Sequence, residues 1–282
     1  MDRRKIEENF FKTLMIGSTV IVVGSLLTVL FVILLKGLPS LSISMVTEIP
    51  QSGFLLGSGG GILNAIVGSL YLVGGATPIA FALGLPIALY LNEYAAKSRL
   101  ASFTRRSLDF LWSVPSIIYG AFGFTVMVYL GMRASLLGGI VALTLLELPI
   151  MTRAMDEVIR LVPPKLKDAS YALGATRLET ALHVVFRQAL PGITTAVILA
   201  FGRAVGDAAS IMFTAGYTDN IPNSIFSPVA SLPLAIFFQL GTPYPAVQQK
   251  AYASAALLLL IVASLSIASK LLSRKFNKYL IK

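Results

Sequence analysis

The sequence has no cysteine, which excludes disulfides and thiolate metal sites. It has one histidine and one tryptophan. The histidine, His183, has no acidic or imidazole partner at metal-ligand spacing, and it reads as a solvated or packed side chain. No Ser/His/Asp set sits on a plausible scaffold. The glycine run GSGGG at 57–61 has no strand before it and no Gly-Lys-Ser/Thr after it, so it is no phosphate cradle and reads as flexible loop. Catalytic residues, metals and cofactors are therefore not expected. If ATP is used, another chain must bind it.

What fills the chain instead is apolar. It is 56% hydrophobic and only 13% charged, with a mean hydropathy of +0.80, well outside the range of soluble domains. Runs long enough to cross a bilayer, which takes about 20 residues, fall at Thr13–Leu35, Ile66–Leu91, Trp112–Leu130, Ala134–Met151, Gly192–Ala215 and Ala251–Leu272. The first is too long for a removed signal peptide and lacks a small-residue cleavage site. The expected fold is all-α, a polytopic membrane protein with six transmembrane helices. Gly74, Gly75, Pro78, Gly84 and Pro86 should kink the second span and let it pack closely. Ser231–Gly241 is too short to span and reads as re-entrant or interfacial. The chain divides into residues 1–62 (tail, first helix and external loop), 63–272 (main transmembrane domain) and a basic tail, 273–282.

The net charge of +10 is distributed unevenly. With six spans, nineteen Lys and Arg residues fall on one side and three on the other (Lys36, Arg133 and Lys250), with Arg203 inside a span. Cytoplasmic loops carry such an excess. Both termini and the 153–191 loop are thus expected in the cytoplasm. The charge follows topology and predicts no nucleic-acid partner.

Two features carry function. One is the loop of about 40 residues before Gly192, longer than a bare connector needs. Its segment 168–192 reads as two short helices, broken at Gly174 and stopped at Pro191, shaped to dock a partner. The other is a set of ionisable residues inside spans, each costing about 2.5–3.5 kcal/mol at a span centre. Arg203 falls about eleven residues into the fifth run, near the midplane, and Asp207 four residues on can pair with it. Two readings stand: a structural ion pair, or a guanidinium fork lining an anion path. Glu147 is a candidate partner for Arg203 or Arg153, and Arg153 a cation at the cytoplasmic mouth.

Asp168-Ala169-Ser170, Gly174 and Ala189-Leu190-Pro191-Gly192 resemble the Glu-Ala-Ala loop of ABC importer permeases. Val114–Gly123 (VPSIIYGAFG), Gly202–Ser210 (GRAVGDAAS) and Ser231–Phe237 (SLPLAIF) resemble the permease of phosphate-specific ABC importers, PstA-type subunit. The likeness covers about Gly60 to Leu272. Asp168 stands where Glu is usual, Ser170 for the second Ala, Arg187 for a first Pro, and Asp207-Ala208 for Glu-Thr. The resemblance implies an ABC importer permease fold with cytoplasmic coupling helices, where Asp168, Ala169, Ser170 and Gly174 meet the ATPase. It implies phosphate import by alternating access in the plasma (inner) membrane of a prokaryote; the candidate roles within that path are Arg203 as oxyanion contact, with Asp207 and Glu147 as its carboxylate partners. Implied partners are a second homologous permease, two copies of a cytoplasmic ATPase, an external phosphate-binding protein and membrane lipid. Sulfate, molybdate or tungstate are alternative substrates. A stand-alone secondary transporter or channel is the alternative of another class.

Overall fold

The computed structural model describes residues 3–51 and 59–277. Residues 52–58, which include the start of the GSGGG run, and the tail from Lys278 lie outside the described residues. Five helices are long and apolar enough to cross a membrane, or six if one bent pair is counted as a single span.

Helix α1 (Arg3–Gly37) carries an apolar stretch exposed on every face. It touches the rest where Gly37, lacking a side chain, meets the backbone of Tyr252. A five-residue helix, α2 (Ile43–Thr47), follows. The expected flexible glycine loop is ordered at its end, because Gly59–Gly60 pairs with Pro50–Gln51 as an antiparallel ladder. Lys250 Nζ donates to the carbonyls of Gly59 and Gly60 at 2.8 and 2.6 Å, which fixes it there.

Helix α3 (Leu63–Glu93) runs unbroken through Pro78 and Pro86. It packs along α6 (Leu136–Arg160), and the two run parallel, since Gly75 meets Ile140, Gly84 meets Thr152 and Asn92 meets Asp156. Glycine at 75 and 84 brings the two backbones close, as small residues do in membrane helix pairs.

The third hydrophobic run is not one straight span. Its residues divide between α4 (Arg99–Ser113) and α5 (Ser116–Tyr129), which meet at 97°. The break is chemical: a residue before proline is pushed out of the helical region, and Val114 before Pro115 is extended, with ψ 130°. Fourteen residues of α5 reach only about 21 Å, short of a core of about 30 Å. Helix α4 accordingly lies across the end of the bundle.

The fifth run also differs. Helix α7 (Pro164–Ala172) is followed by α8 (Arg177–Glu179), a π-helical turn at Thr180–Val185, and α9 (Phe186–Val205). The second helix of the loop is not stopped at Pro191 but continues through it into the membrane. Pro191 removes one N–H, and packing of Ala189, Ile193 and Ala196 against Met155 and Ile159 of α6 outweighs that loss. Helix α9 then ends at Val205, ten residues before the hydrophobic run does. After an irregular stretch, α10 (Leu232–Leu240) packs on α11 (Pro245–Asn277).

At the α7 end of the bundle, Asp156 is fully buried and ties three helices together. Arg105 of α4 donates to both its oxygens, and Nδ2 of Asn92 on α3 reaches Oδ1 at 2.8 Å. From α6 itself, Arg153 and Arg160 reach Oδ2 at 3.0 and 3.3 Å. Removing one member of a buried pair typically costs about 3–5 kcal/mol, whereas exposed pairs are worth about 1 kcal/mol or less. Asp156→Ala is therefore expected to lower thermal stability in detergent strongly. Arg160→Ala, whose side chain is 53% exposed, should shift it little. Equal melting shifts for the two variants would contradict the assignment.

Candidate functional site

Arg203 occupies the last turn of α9, where a cation complements the helix dipole. The helix does not continue because Asp207 captures the chain: its Oδ2 accepts the Ser210 N–H at 2.8 Å and closes a turn. The non-helical stretch 206–216 then runs between α5 and α6. A Cβ on Gly120 would lie 2.7 Å from the carbonyl oxygens of Ala209 and Ser210, and one on Gly138 2.9 Å from that of Thr214. Only glycine lets the chain through at these two positions. The stretch is paired at its far end, with Ser135 N–H donating to Thr214 O and Val229 N–H to Ala215 O. Ser210, Ile211, Thr214 and Ala215 are buried, as irregular backbone at bilayer depth must be.

The expected Arg203–Asp207 pair does not form among the described residues. Asp207 lies beyond the helix end, so the spacing of four no longer brings the two together, and its carboxylate caps a turn instead. Glu147 does not reach Arg203 either. It is buried between α3 and α6, where Oε1 accepts from the Thr77 hydroxyl at 3.1 Å and Oε2 makes no hydrogen bond. Arg153, expected as a cation at the cytoplasmic mouth, is engaged in ion pairs. It pairs with Asp109 at 2.6 Å, Asp156 at 3.0 Å and Glu157 at 3.3 Å. Asp156 and Arg105, which organise that end of the bundle, were missed in the sequence. The signal was present as Arg153, Asp156 and Arg160 at one-turn spacing on a single helix face.

Arg203 therefore stands without an acidic partner among the described residues, and it is exposed in the isolated chain. It borders an opening of about 610 Å³, also lined by Trp112, Ile150, Thr195, Leu199 and Gly202. Tyr119 is near enough to feel its charge. A guanidinium at bilayer depth must face protein or water rather than lipid. The arrangement offers donors to an anion and supplies no group for bond-making chemistry.

The second region is the α7–α8 loop. No residue of α7 is buried, and Asp168 and Ala169 are exposed. The helix closes in a Schellman arrangement, with Gly174 N–H donating to Tyr171 O and Ala175 N–H to Ser170 O. Gly174 has φ +84°, a conformation that side-chain-bearing residues rarely adopt. Thr176 and Glu179 then form a reciprocal capping box that starts α8. Ser170 and Thr180 hydroxyls meet at 2.9 Å, and Lys167 pairs with Glu93 of α3 at 2.5 Å, so the loop is held to the bundle. Leu173 is 90% exposed and Leu161 81%, an apolar surface on an otherwise polar loop.

Comparison with known proteins agrees with this geometry. Residues 82–278 match the family described as binding-protein-dependent transport system inner membrane component. The phosphate transport system permease protein PstA of Haemophilus influenzae is 37% identical over 243 residues, covering 86% of this chain and 85% of that protein. The phosphate transport system permease protein PstA 1 of Mycobacterium tuberculosis is 33% identical, covering 96% and 90%. Among solved structures, an inward-facing MetNI methionine ABC transporter shares the fold, with a TM-score of 0.63 at 22% identity over 76% of this chain and 95% of that one. By its sequence match and its architecture, the chain belongs to the inner-membrane components of binding-protein-dependent transport systems.

Proposed function

We propose that the chain is a permease subunit of an ATP-driven importer that carries inorganic phosphate into the cytoplasm. The observation that carries this reading is the set of phosphate transport system permeases aligned over most of their length and most of this chain. The guanidinium of Arg203, which borders the opening without an acidic partner among the described residues, supports an oxyanion as cargo. The chain supplies a path and a lever, while ATP is hydrolysed by a separate subunit.

In this reading the α7 end faces the cytoplasm, where the excess of lysine and arginine lies, and both termini lie there too. Two ATPase copies sit below, an external phosphate-binding protein sits above, and a second homologous permease completes the path. Exposed Leu161 and Leu173, with Asp168 and Ala169 between them, fit a groove on the ATPase. When the ATPases close on ATP, α7 moves. The Lys167–Glu93 pair and the Asp156 ion cluster pass that displacement to α3, α4 and α6 as one body. Arg203 offers its planar fork to the phosphate oxygens in the path, and the segment capped by Asp207 holds the end of α9 in place. Glu147 serves the α3–α6 contact.

Gly174→Val should insert and fold yet lose ATPase association and transport, because valine strongly disfavours φ +84°. Co-purification of the ATPase subunit with the variant measures this, and normal association would contradict the coupling role. Arg203→Lys keeps the charge and loses the fork. Losing one hydrogen bond to a charged group, about 1.5–3 kcal/mol, should reduce ATP-driven uptake of labelled phosphate about ten- to a hundredfold. Asp207→Asn keeps an oxygen for the turn and should retain most uptake. Unimpaired uptake by an assembled Arg203→Lys complex would remove Arg203 from the path.

A further inference from the structure

Helix α4 has two distinct sides. Arg105, Asp109, Ala101 and Leu108 face the bundle, where they are held by the ion cluster or buried. Away from these, Arg99, Phe103, Arg106 and Phe110 recur at intervals of three and four residues and form one stripe. Phe103 and Phe110 are each 69% exposed, and Arg99, Arg106 and the adjacent Lys97 are exposed as well. None of these three cations has an acidic partner among the described residues. On a helical projection the two arginines lie along a border. Phe103, Phe110, Leu100 and Leu111 flank them on one side, and Ser102 and Ser113 on the other. Helix α4 meets α5 at 97°, so with α5 entering the bilayer upright this border lies along the membrane surface. At the same end of α3, Tyr90 and Tyr94 stack at 5.8 Å and are exposed, as aromatic residues at a headgroup boundary are.

We infer that α4 is an interfacial helix that binds anionic phospholipid headgroups of the leaflet on the α7 side through Lys97, Arg99 and Arg106. Phe103, Phe110 and Leu100 sink into the acyl boundary, while the arginine stems lie along it and lift their guanidinium groups to the phosphates. A zwitterionic headgroup cancels its phosphate with its own ammonium. An anionic headgroup does not, which is why charge complementarity selects it over phosphatidylcholine. Each basic residue near an anionic surface contributes about a fivefold preference. Because α4 is locked to α6 through Arg105–Asp156 and Asp109–Arg153, the bound lipid holds the same body that carries α7. The inference does not depend on the transported substrate.

The absence of native cysteine provides a clean probe. In the full chain, Ser107→Cys places a single bimane label on the lipid side of α4. The chain is reconstituted in phosphatidylcholine vesicles holding either brominated phosphatidylglycerol or brominated phosphatidylcholine, and quenching is compared. The expected result is a preference for phosphatidylglycerol of at least about fivefold, given the per-residue contribution. It should be lost in Lys97→Gln/Arg99→Gln/Arg106→Gln and kept in Arg99→Lys/Arg106→Lys. Unchanged quenching by brominated phosphatidylcholine in the glutamine variant shows that the helix is still inserted. Equal quenching by both lipids in the parent chain would overturn the inference, as would a preference that survives the glutamine variant. Absence of quenching by either lipid would also overturn it and assign the stripe to a protein partner.

Discussion

A carboxylate with no access to water needs cations around it, and the α7 end of this molecule is arranged to supply them to Asp156. Three arginines and Asn92 converge on it from α3, α4 and α6. Desolvating so many charges gives little net stability, and an apolar core of equal volume often does as well or better. What the cluster provides is definition, because neither Asp156 nor Arg105 can leave alone without stranding a charge in the protein interior. Helix α6 leads within a few residues into α7, so this definition passes directly to the loop that reaches beyond the bundle.

The other end of the same problem lies at the end of α9. Backbone that leaves a helix inside a membrane must be wrapped in protein, and the glycines at 120 and 138 make room for it against α5 and α6. Asp207 caps a turn just beyond Val205, and that separates Arg203 from the partner its spacing promised. An unpaired guanidinium in this position is costly unless water, an anion or another subunit attends it. That cost is the physical argument for a path beside α9.

Much of the fold was legible in hydropathy, because crossing a bilayer demands long apolar runs whatever the tertiary packing. Runs one, two, four and six each correspond to a helix, with ends that extend into polar flanks. Runs three and five do not, and the reasons are local. Hydropathy averages across Val114-Pro115 and does not register the 97° bend there. It also counts Ile211 to Ala215 as span, since all but Thr214 are apolar, although they fold as turns. The loop break at Gly174 was legible because a positive φ has a preferred residue. Pro191 misled, because a proline early in a well-packed helix is tolerated. The ion pairs were least legible. Arg153 and Glu147 were singled out as charges, but Asp109 and Thr77 sit on other helices and no spacing along the chain reveals that they meet, whereas Asp207 turned to the Ser210 N–H three residues on.

In the proposed assembly this chain conducts phosphate under the control of an ATPase that it does not contain. The most direct test is uptake of labelled phosphate by the complex reconstituted in proteoliposomes, with ATP supplied on the α7 side and sulfate or molybdate as competitors outside. Phosphate accumulation should depend on ATP, require the external binding protein and be insensitive to both competitors. Preferential transport of sulfate or molybdate, or phosphate movement without the ATPase subunit, would contradict it.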